Sequence, residues 1–203
     1  MDKATHTLEI DELKPGWIAA VAEIHMRALP DDFLPGLGAE FLQKVFYPAA
    51  MRSPYGCVFV AVDNNQPSGF VVVTTDSARF FRSIVLNEWQ GFLKTGLRTS
   101  FASWKNFKRN FEVLASMFEK SVDEDLGEIY EIAVSVDQQG RGTGKALVAR
   151  SIEYLKEAGV PGIKIKTRKN NTSWIGFFMR SSWHLEQEIH LIGKDYVVLS
   201  LRF

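Results

Sequence analysis

The run Ile132-Ala133-Val134-Ser135-Val136-Asp137-Gln138-Gln139-Gly140-Arg141-Gly142-Thr143-Gly144-Lys145-Ala146-Leu147 reads as a strand, three alternating glycines and the start of an amphipathic helix. Glycine lets the backbone take turn geometry and come close to a ligand. A helix start offers N–H groups without intrahelical partners and the positive end of the helix dipole. Together they form a cradle for phosphate. A Walker loop needs glycine five residues before Gly144 and Ser or Thr after Lys145, where this chain has Gln139 and Ala146. A dinucleotide fingerprint beginning at Gly140 needs a third glycine where Lys145 stands. Both readings fail.

Other side chains with reactive chemistry are weaker signals. His184, Glu186, Glu188 and His190 recur at period two and share one strand face, with Leu185, Ile189 and Leu191 opposite. That spacing suits metal ligands, but a solvated face on a half-buried strand needs the same pattern and is the favoured reading, so no metal is expected. His25 sits among apolar neighbours at helical spacing and reads as structural. Cys57, at a strand start, has no His/Asp pattern around it and reads as a small core residue rather than a nucleophile.

The elements that must position the glycine turn follow from periodicity and punctuation. Thr5 to Asp11 alternates as a first strand, and Pro15 opens a helix that Pro30, Asp31 and Asp32 stop. A second helix is expected from Gly38 to about Met51. Cys57 to Val62 and Phe70 to Thr74 form a hairpin about the turn formers Asp63 to Gly69. Glu128 to Val136 is the strand before the glycines. The helix from Thr143 to Ala158 carries Ala146, Leu147, Ala149, Ile152 and Leu155 as its buried stripe. A strand at Gly162–Thr167, a short helix capped by Asn171 or Thr172, and strands at His184–Leu191 and Tyr196–Leu201 complete the order. This is one mixed α/β domain over residues 1–203.

With 203 residues, 46% of them hydrophobic and 24% charged, the chain has enough apolar content for a substantial core. Its 24 Lys and Arg balance 24 Asp and Glu, which argues against a general nucleic-acid binder. A single cysteine excludes a disulfide framework. The N-terminus lacks the apolar run of a signal peptide, and no stretch is long enough to span a bilayer, so a cytoplasmic location is expected. Neutrality hides an asymmetry. The segment from about 76 to 121 carries a net charge of +4, cancelled by −4 elsewhere. It is rich in aromatics, with Phe101, Trp104, Phe107, Phe111, Leu114 and Phe118 at helical spacing. It reads as a lid over an acceptor pocket, with a core helix bearing a solvated basic face, or contact with acidic lipid, as the other readings.

Gln139-Gly140-Arg141-Gly142-Thr143-Gly144 matches Gln/Arg-x-x-Gly-x-Gly/Ala, the pyrophosphate signature of the GNAT acetyltransferases, and the chain resembles that family. Ile132-Ala133-Val134 resembles the family's fourth strand. Asn171 to Phe178 is similar to its Asn-x-x-Ala-x-x-Phe-Tyr helix, and the terminal hairpin agrees as well. The resemblance implies the GNAT fold, α/β (α+β): a mixed, mostly antiparallel sheet whose central strands run parallel and splay apart, flanked by helices. Segment 76–121 would be an insertion between the third and fourth strands.

The resemblance also implies acetyl-CoA, or another acyl-CoA, as co-substrate. Ile132, Ala133 and Val134 would pair with the pantetheine arm, and a bulge in that strand would free an amide to polarise the thioester carbonyl. Amides from Gly140 to Lys145 would hold the pyrophosphate; Arg141 and Lys145 either add charge there or are solvated. Asn171 either caps its helix or binds the arm. Phe178 stands where many members have the tyrosine that protonates the departing thiolate. Glu131 is the expected general base, with Tyr130 and Glu128 behind it; its other reading is a solvated or ion-paired strand residue. The expected partner is a small-molecule amine, an amino sugar or sugar nucleotide among the options. The alternatives are a catalytically weak acyl-CoA sensor and a protein N-acetyltransferase.

Overall fold

The computed structural model describes residues 8–88, 90–91, 125–191 and 193–203. Its strands are β1 (Glu9–Glu12), β2 (Gly56–Asp63), β3 (Gln66–Thr74), β4 (Gly127–Val134), β5 (Gly162–Arg168), β6 (His184–Leu191) and β7 (Lys194–Arg202). They form one sheet in the order β1-β2-β3-β4-β5-β7-β6. Every neighbouring pair is antiparallel except β4–β5, which is parallel. This is the mixed, mostly antiparallel sheet with a parallel central pair that the sequence led us to expect.

The helices are α1 (Ile18–Ala28), α2 (Phe33–Gly36), α3 (Ala39–Phe41), α4 (Tyr47–Ala50), α5 (Ser77–Asn87), α6 (Thr143–Glu157) and α7 (Thr172–Met179). Both faces of the central strands are covered. Val58, Val60, Phe70 and Val72 pack with Val21, Ala22, Leu42 and Phe46 on the α1 side. Phe59, Ala61, Val71 and Val73 pack with Leu147, Val148 and Leu155 on the α6 side. Two-sided burial is why β2 and β3 read as continuous apolar runs rather than as alternating ones. The turn between them, Asn64-Asn65, has φ of 49° and 62°, the left-handed pair that a tight hairpin requires and that asparagine tolerates.

Several expectations change. Strand β1 covers Glu9–Glu12, and Thr5 to Thr7 lie outside the described residues. The helix expected from Gly38 to Met51 is broken by a π-helical turn at Leu42–Phe46, where Tyr47 N–H donates to the Leu42 carbonyl. Pro48 supplies the reason: it has no N–H for the Lys44 carbonyl, and its ring would clash there, so the helix widens before it. Strand β4 stops at Val134, because Val136–Gln138 turns as a 3-10 helix. The buried stripe of α6 is Thr143, Leu147, Val148, Ser151 and Leu155; Ala149 is exposed and Ile152 half-buried. Apolarity alone mis-set the phase, since Ser151 is buried with its hydroxyl donating to the Leu147 carbonyl at 2.9 Å. Leu185, expected inward, is 49% exposed beside a register shift between Leu185 and Gln187 on the outermost strand.

The part of the 76–121 segment that is described is helical. Asp76 caps α5, its carboxylate accepting from Arg79 N–H at 2.8 Å, and Phe80, Phe81 and Ile84 are buried. The basic aromatic stripe from Phe101 to Phe118, with the lid and lipid readings placed on it, lies outside the described residues.

Close strand packing gives a stability prediction. A Cβ on Gly162 would lie 2.6 Å from the Leu201 carbonyl oxygen and 2.8 Å from Leu126 Cδ2. Gly162→Ala is expected to cost about 1–3 kcal/mol and to lower Tm by several degrees. Gly16→Ala, with nothing within 4 Å, serves as the control in the same thermal melts.

Candidate active site

The site begins where a strand pair fails. Strands β4 and β5 are in register only at Gly127↔Ile163, Glu128↔Lys164 and Ile129↔Ile165. Beyond Ile129 the edge of β4 facing β5 has no strand partner, while its other edge stays paired with β3 through Val134. The β3–β4 register shifts between Val72, opposite Glu131, and Val73, opposite Ile129, which leaves Tyr130 as the extra residue of a bulge. The bulge resets the strand's alternation. Ile129, Ile132 and Val134 pack on the α6 side, whereas Tyr130 and Ala133 pack on the α1 side. Glu131 follows Tyr130 to the α1 side, where its Oε2 lies 3.9 Å from His25 Nε2.

A cavity of about 380 Å³ opens at this splay. Glu131 and Ile132 line it from β4, Lys166 and Arg168 from β5, Asn171 and Trp174 at α7, Tyr196 from β7, and Asp31 and Asp32 from the turn after α1. Glu131 keeps 17% of its side-chain surface exposed. Burial, reinforced by Asp32 and Glu128 against the pull of Lys166, pushes its carboxyl up to about 8. Burial drives His25 down to about 3, so its imidazole is neutral. Burial also raises the Tyr47, Tyr130 and Tyr196 hydroxyls above the usual tyrosine range. Glu128, one of the lesser base candidates, is held by the Ser77 hydroxyl.

The acidic turn is fastened across the cavity mouth. Arg168 donates to Asp32 Oδ1 at 2.9 Å and to the Asp31 carbonyl at 3.3 Å, and Lys194 reaches the same carbonyl at 3.1 Å.

The glycine loop leaves the same strand. Gln139 is extended and its side-chain amide donates to the Val134 carbonyl at 3.3 Å, which closes the loop on the end of β4. Gly140 and Gly142 have φ of 75° and 89°, and no atom would meet a Cβ at either position. Their need for glycine is therefore conformational, and the space beside the backbone is open. Thr143 is buried at the start of α6, while Arg141 and Lys145 are exposed. Gly144 has another reason: a Cβ there would lie 3.0 Å from the Trp174 ring, so it lets α7 approach α6.

Asn171 lies at the N-cap position of α7 without a side-chain capping bond; its amide donates to Thr167 Oγ1 at 3.3 Å. Phe178 is fully buried, stacked on Trp174 at 5.2 Å and against Trp183 at 4.5 Å, and it is Trp174 that lines the cavity. The carboxylates of Glu186 and Glu188 are held by Ser200 and Lys169, and His190 pairs with Asp195 at 2.7 Å. Among the described residues no group of three or more His, Cys, Asp or Glu could hold a metal ion. The Cys57 thiol is pushed up to about 12, chiefly by burial, so it is no thiolate nucleophile near neutral pH. Among the described residues no helix is long and apolar enough to cross a membrane.

Sequence reasoning missed Asp31, Asp32, Lys166, Arg168, Trp174 and Tyr196 as cavity residues. The two aspartates read only as a helix stop, and nothing local shows that Arg168 and Lys194 meet them. Lys166 and Arg168 did carry a signal, as two of the three cations that alternate with Ile163, Ile165 and Thr167 along the strand.

Residues 18–182 match the model of the Acetyltransferase (GNAT) family. Mycothiol acetyltransferase of Actinosynnema mirum is 31% identical over 75 residues, which cover 36% of this chain and 25% of that protein. Mycothiol acetyltransferase of Beutenbergia cavernae is 39% identical over 59 residues, covering 29% and 20%. The matched part is thus a quarter or less of each of these relatives. Two solved structures are similar across almost the whole chain. The ribosomal-protein-S18-alanine N-acetyltransferase of Escherichia coli has a TM-score of 0.60 at 16% identity, covering 97% of this chain and 94% of that one. Arabidopsis thaliana NAA60 in complex with acetyl-CoA has a TM-score of 0.62 at 17% identity, covering 97% and 99%. At such identities the likeness is one of fold.

The raised carboxyl of Glu131 has a consequence for stability. The folded chain holds this proton up to about pH 8, whereas an unfolded glutamate releases it near 4.5. Between those values the native state binds more protons than the unfolded one, so stability falls as pH rises and levels off above 8. Glu131→Gln has no proton to lose. It is expected to melt with the parent at pH 5 and above it at pH 9, by on the order of 2–4 kcal/mol. Thermal melts of both proteins from pH 5 to 9 check this.

Proposed function

Because the chain belongs to the GNAT acetyltransferase family, we propose that it transfers an acetyl group from acetyl-CoA to a small primary amine. One observation carries the reading: the unpaired edge of β4 leads from a half-buried carboxylate directly into the glycine loop. A pantetheine arm can pair with Ile132–Val134 as an added strand, and its pyrophosphate can meet the free N–H groups at the start of α6. Residues 1–203 read as one such domain, with segment 76–121 inserted between β3 and β4.

Each residue then has a task. Glu131 removes a proton from the ammonium of the acceptor. With a carboxyl near 8, it is close to the operating pH at which a base both holds and gives up a proton readily. The neutral amine attacks the thioester carbonyl. Cleft-facing N–H groups of the bulged strand receive the negative charge that develops on the oxygen. The C–N bond forms first; the nitrogen then gives its second proton to solvent, and collapse of the adduct breaks the C–S bond, so that CoA leaves as thiolate. Phe178 offers no hydroxyl and lies behind Trp174, so the thiolate is protonated from solvent.

Asp31, Asp32 and Glu131 set the acceptor class. They favour a cationic amine, and the amine of an amino sugar meets that requirement. A sugar nucleotide would bring phosphates toward the two aspartates, which the basic part of segment 76–121 would have to offset. The buried Phe178 favours a second reading, an acyl-CoA binder without turnover.

Purified protein with acetyl-CoA and a panel of primary amines, followed by thiol release, separates the two. The transferase releases thiol with at least one amine; the binder releases none at any amine concentration. Glu131→Gln is expected to lower kcat by about 10²–10⁴-fold with that amine. Gly142→Val, strained at φ of 89°, is expected to raise the KM for acetyl-CoA at least about tenfold.

A further inference from the structure

One buried polar atom near the cavity is left without a use. His25, in α1, has no exposed side-chain surface. Its Nδ1 is 2.9 Å from the Tyr47 hydroxyl, and its Nε2 has no hydrogen-bond partner among the described residues. A buried polar atom normally finds a partner, and an unsatisfied one in a native fold needs a reason. Glu131 Oε2, 3.9 Å from Nε2, supplies it.

We propose that His25 is a positioning residue for Glu131: the Tyr47 hydroxyl donates to Nδ1, and this fixes the imidazole proton on Nε2, aimed at the Glu131 carboxylate. The inference rests on the reading of Glu131 as the base. Once Glu131 is ionised, above about pH 8, the opposite tautomer places an Nε2 lone pair against the carboxylate. It also leaves the Tyr47 hydroxyl hydrogen in an aromatic wall, with Phe46 at 5.2 Å and Phe70 at 5.8 Å from its ring. Phe70 also packs on the imidazole at 5.1 Å, which holds the ring in place. The 3.9 Å separation is about 1 Å beyond a hydrogen bond. A rotation of the glutamate side chain closes it, as catalytic contacts tighten when substrate binds.

The other charged and titratable neighbours of Glu131 act differently. Asp32, after α1, and Glu128, on β4 itself, favour the protonated acid, while Lys166 on β5 favours the carboxylate. Tyr196 on β7 and Tyr130 on β4 are coupled to Glu131 and stay neutral. His25 adds a donor without adding a charge, since burial keeps it neutral. It therefore favours the carboxylate that must accept the proton, and it fixes one oxygen so that the other faces the cavity.

Two NMR measurements on the full chain test this without any acceptor, so their failure is distinct from that of the kinetic test of Glu131. The first uses 15N-labelled histidine, with His25 identified by the resonances lost in His25→Phe. At pH 9, where Glu131 is ionised, Nε2 is expected as the protonated nitrogen and Nδ1 as the bare one; a protonated Nδ1 at that pH overturns the inference. The second uses glutamate labelled at its carboxyl carbon, with Glu131 identified by Glu131→Gln. The Glu131 titration is expected about one pH unit higher in His25→Phe than in the parent. His25→Gln, which keeps a neutral amide donor at the same reach, is expected to restore most of the shift. An unchanged titration in a cooperatively melting His25→Phe overturns the inference. If that variant does not fold, the tautomer in the parent protein decides.

Discussion

The separation of β4 from β5 after Ile129 is the constraint on which the rest depends. Two parallel neighbours in the middle of a sheet would normally satisfy each other's backbone groups along their length, and here they do so at only three positions. The N–H and C=O groups left on β4 are what a strand-like ligand can use. The opening is tolerable because the flanking pairs are long. Strand β4 stays on β3 from Glu128 to Val134, and β5 stays on β7 from Gly162 to Arg168. Each half of the sheet is thus held from outside the cleft. The glycine loop inherits its position from this arrangement, since it starts where β4 ends and its first turn is tied back to Val134 by Gln139.

The same break accounts for the buried ionisable groups. A bulge at Tyr130 turns Glu131 toward α1, into a region that also holds His25 and Tyr47. Placing a carboxylate there is costly, and the fold meets that cost by keeping the group protonated over most of the physiological range rather than by pairing it with a cation. A structural glutamate gains little from such a site. A base that must accept a proton near neutral pH gains the required affinity from it.

Much of the fold was legible because its signals are local. The Asn64-Asn65 turn, the two-sided apolar runs of β2 and β3, and the Gly140 to Gly144 loop each specify their geometry within a few residues. What escaped notice depends either on backbone hydrogen bonding that apolar patterning does not register or on distant parts of the chain. Pro48 widens its helix because it has no N–H for the carbonyl one turn back, and the stripe of α6 includes a serine that bonds its own helix. The site shows the same division. Glu131 and Gly142 can be read from strand and loop, whereas Asp32 joins the cavity through Arg168, 136 residues away. His25 reads as an ordinary core histidine until the cavity shows what faces its second nitrogen.

The acidic rim and the Glu131 carboxyl are one electrostatic unit. Asp32 raises the carboxyl of Glu131, and Asp32 is itself held by Arg168 in a pair that keeps more than a quarter of each side chain exposed. Ion pairs so close to solvent are worth about 1 kcal/mol or less, so an incoming ammonium can compete with Arg168 for Asp32. On the proposed reading, that exchange brings a positive charge toward Glu131 and draws its carboxyl down toward the ionised form. The acceptor would thus help to create the base that deprotonates it. A rim cation fixed more tightly would hold Asp32 away from the substrate, and a rim without aspartates would give the ammonium no reason to stop beside Glu131. The weakness of the Arg168 clamp is in this respect suited to the chemistry.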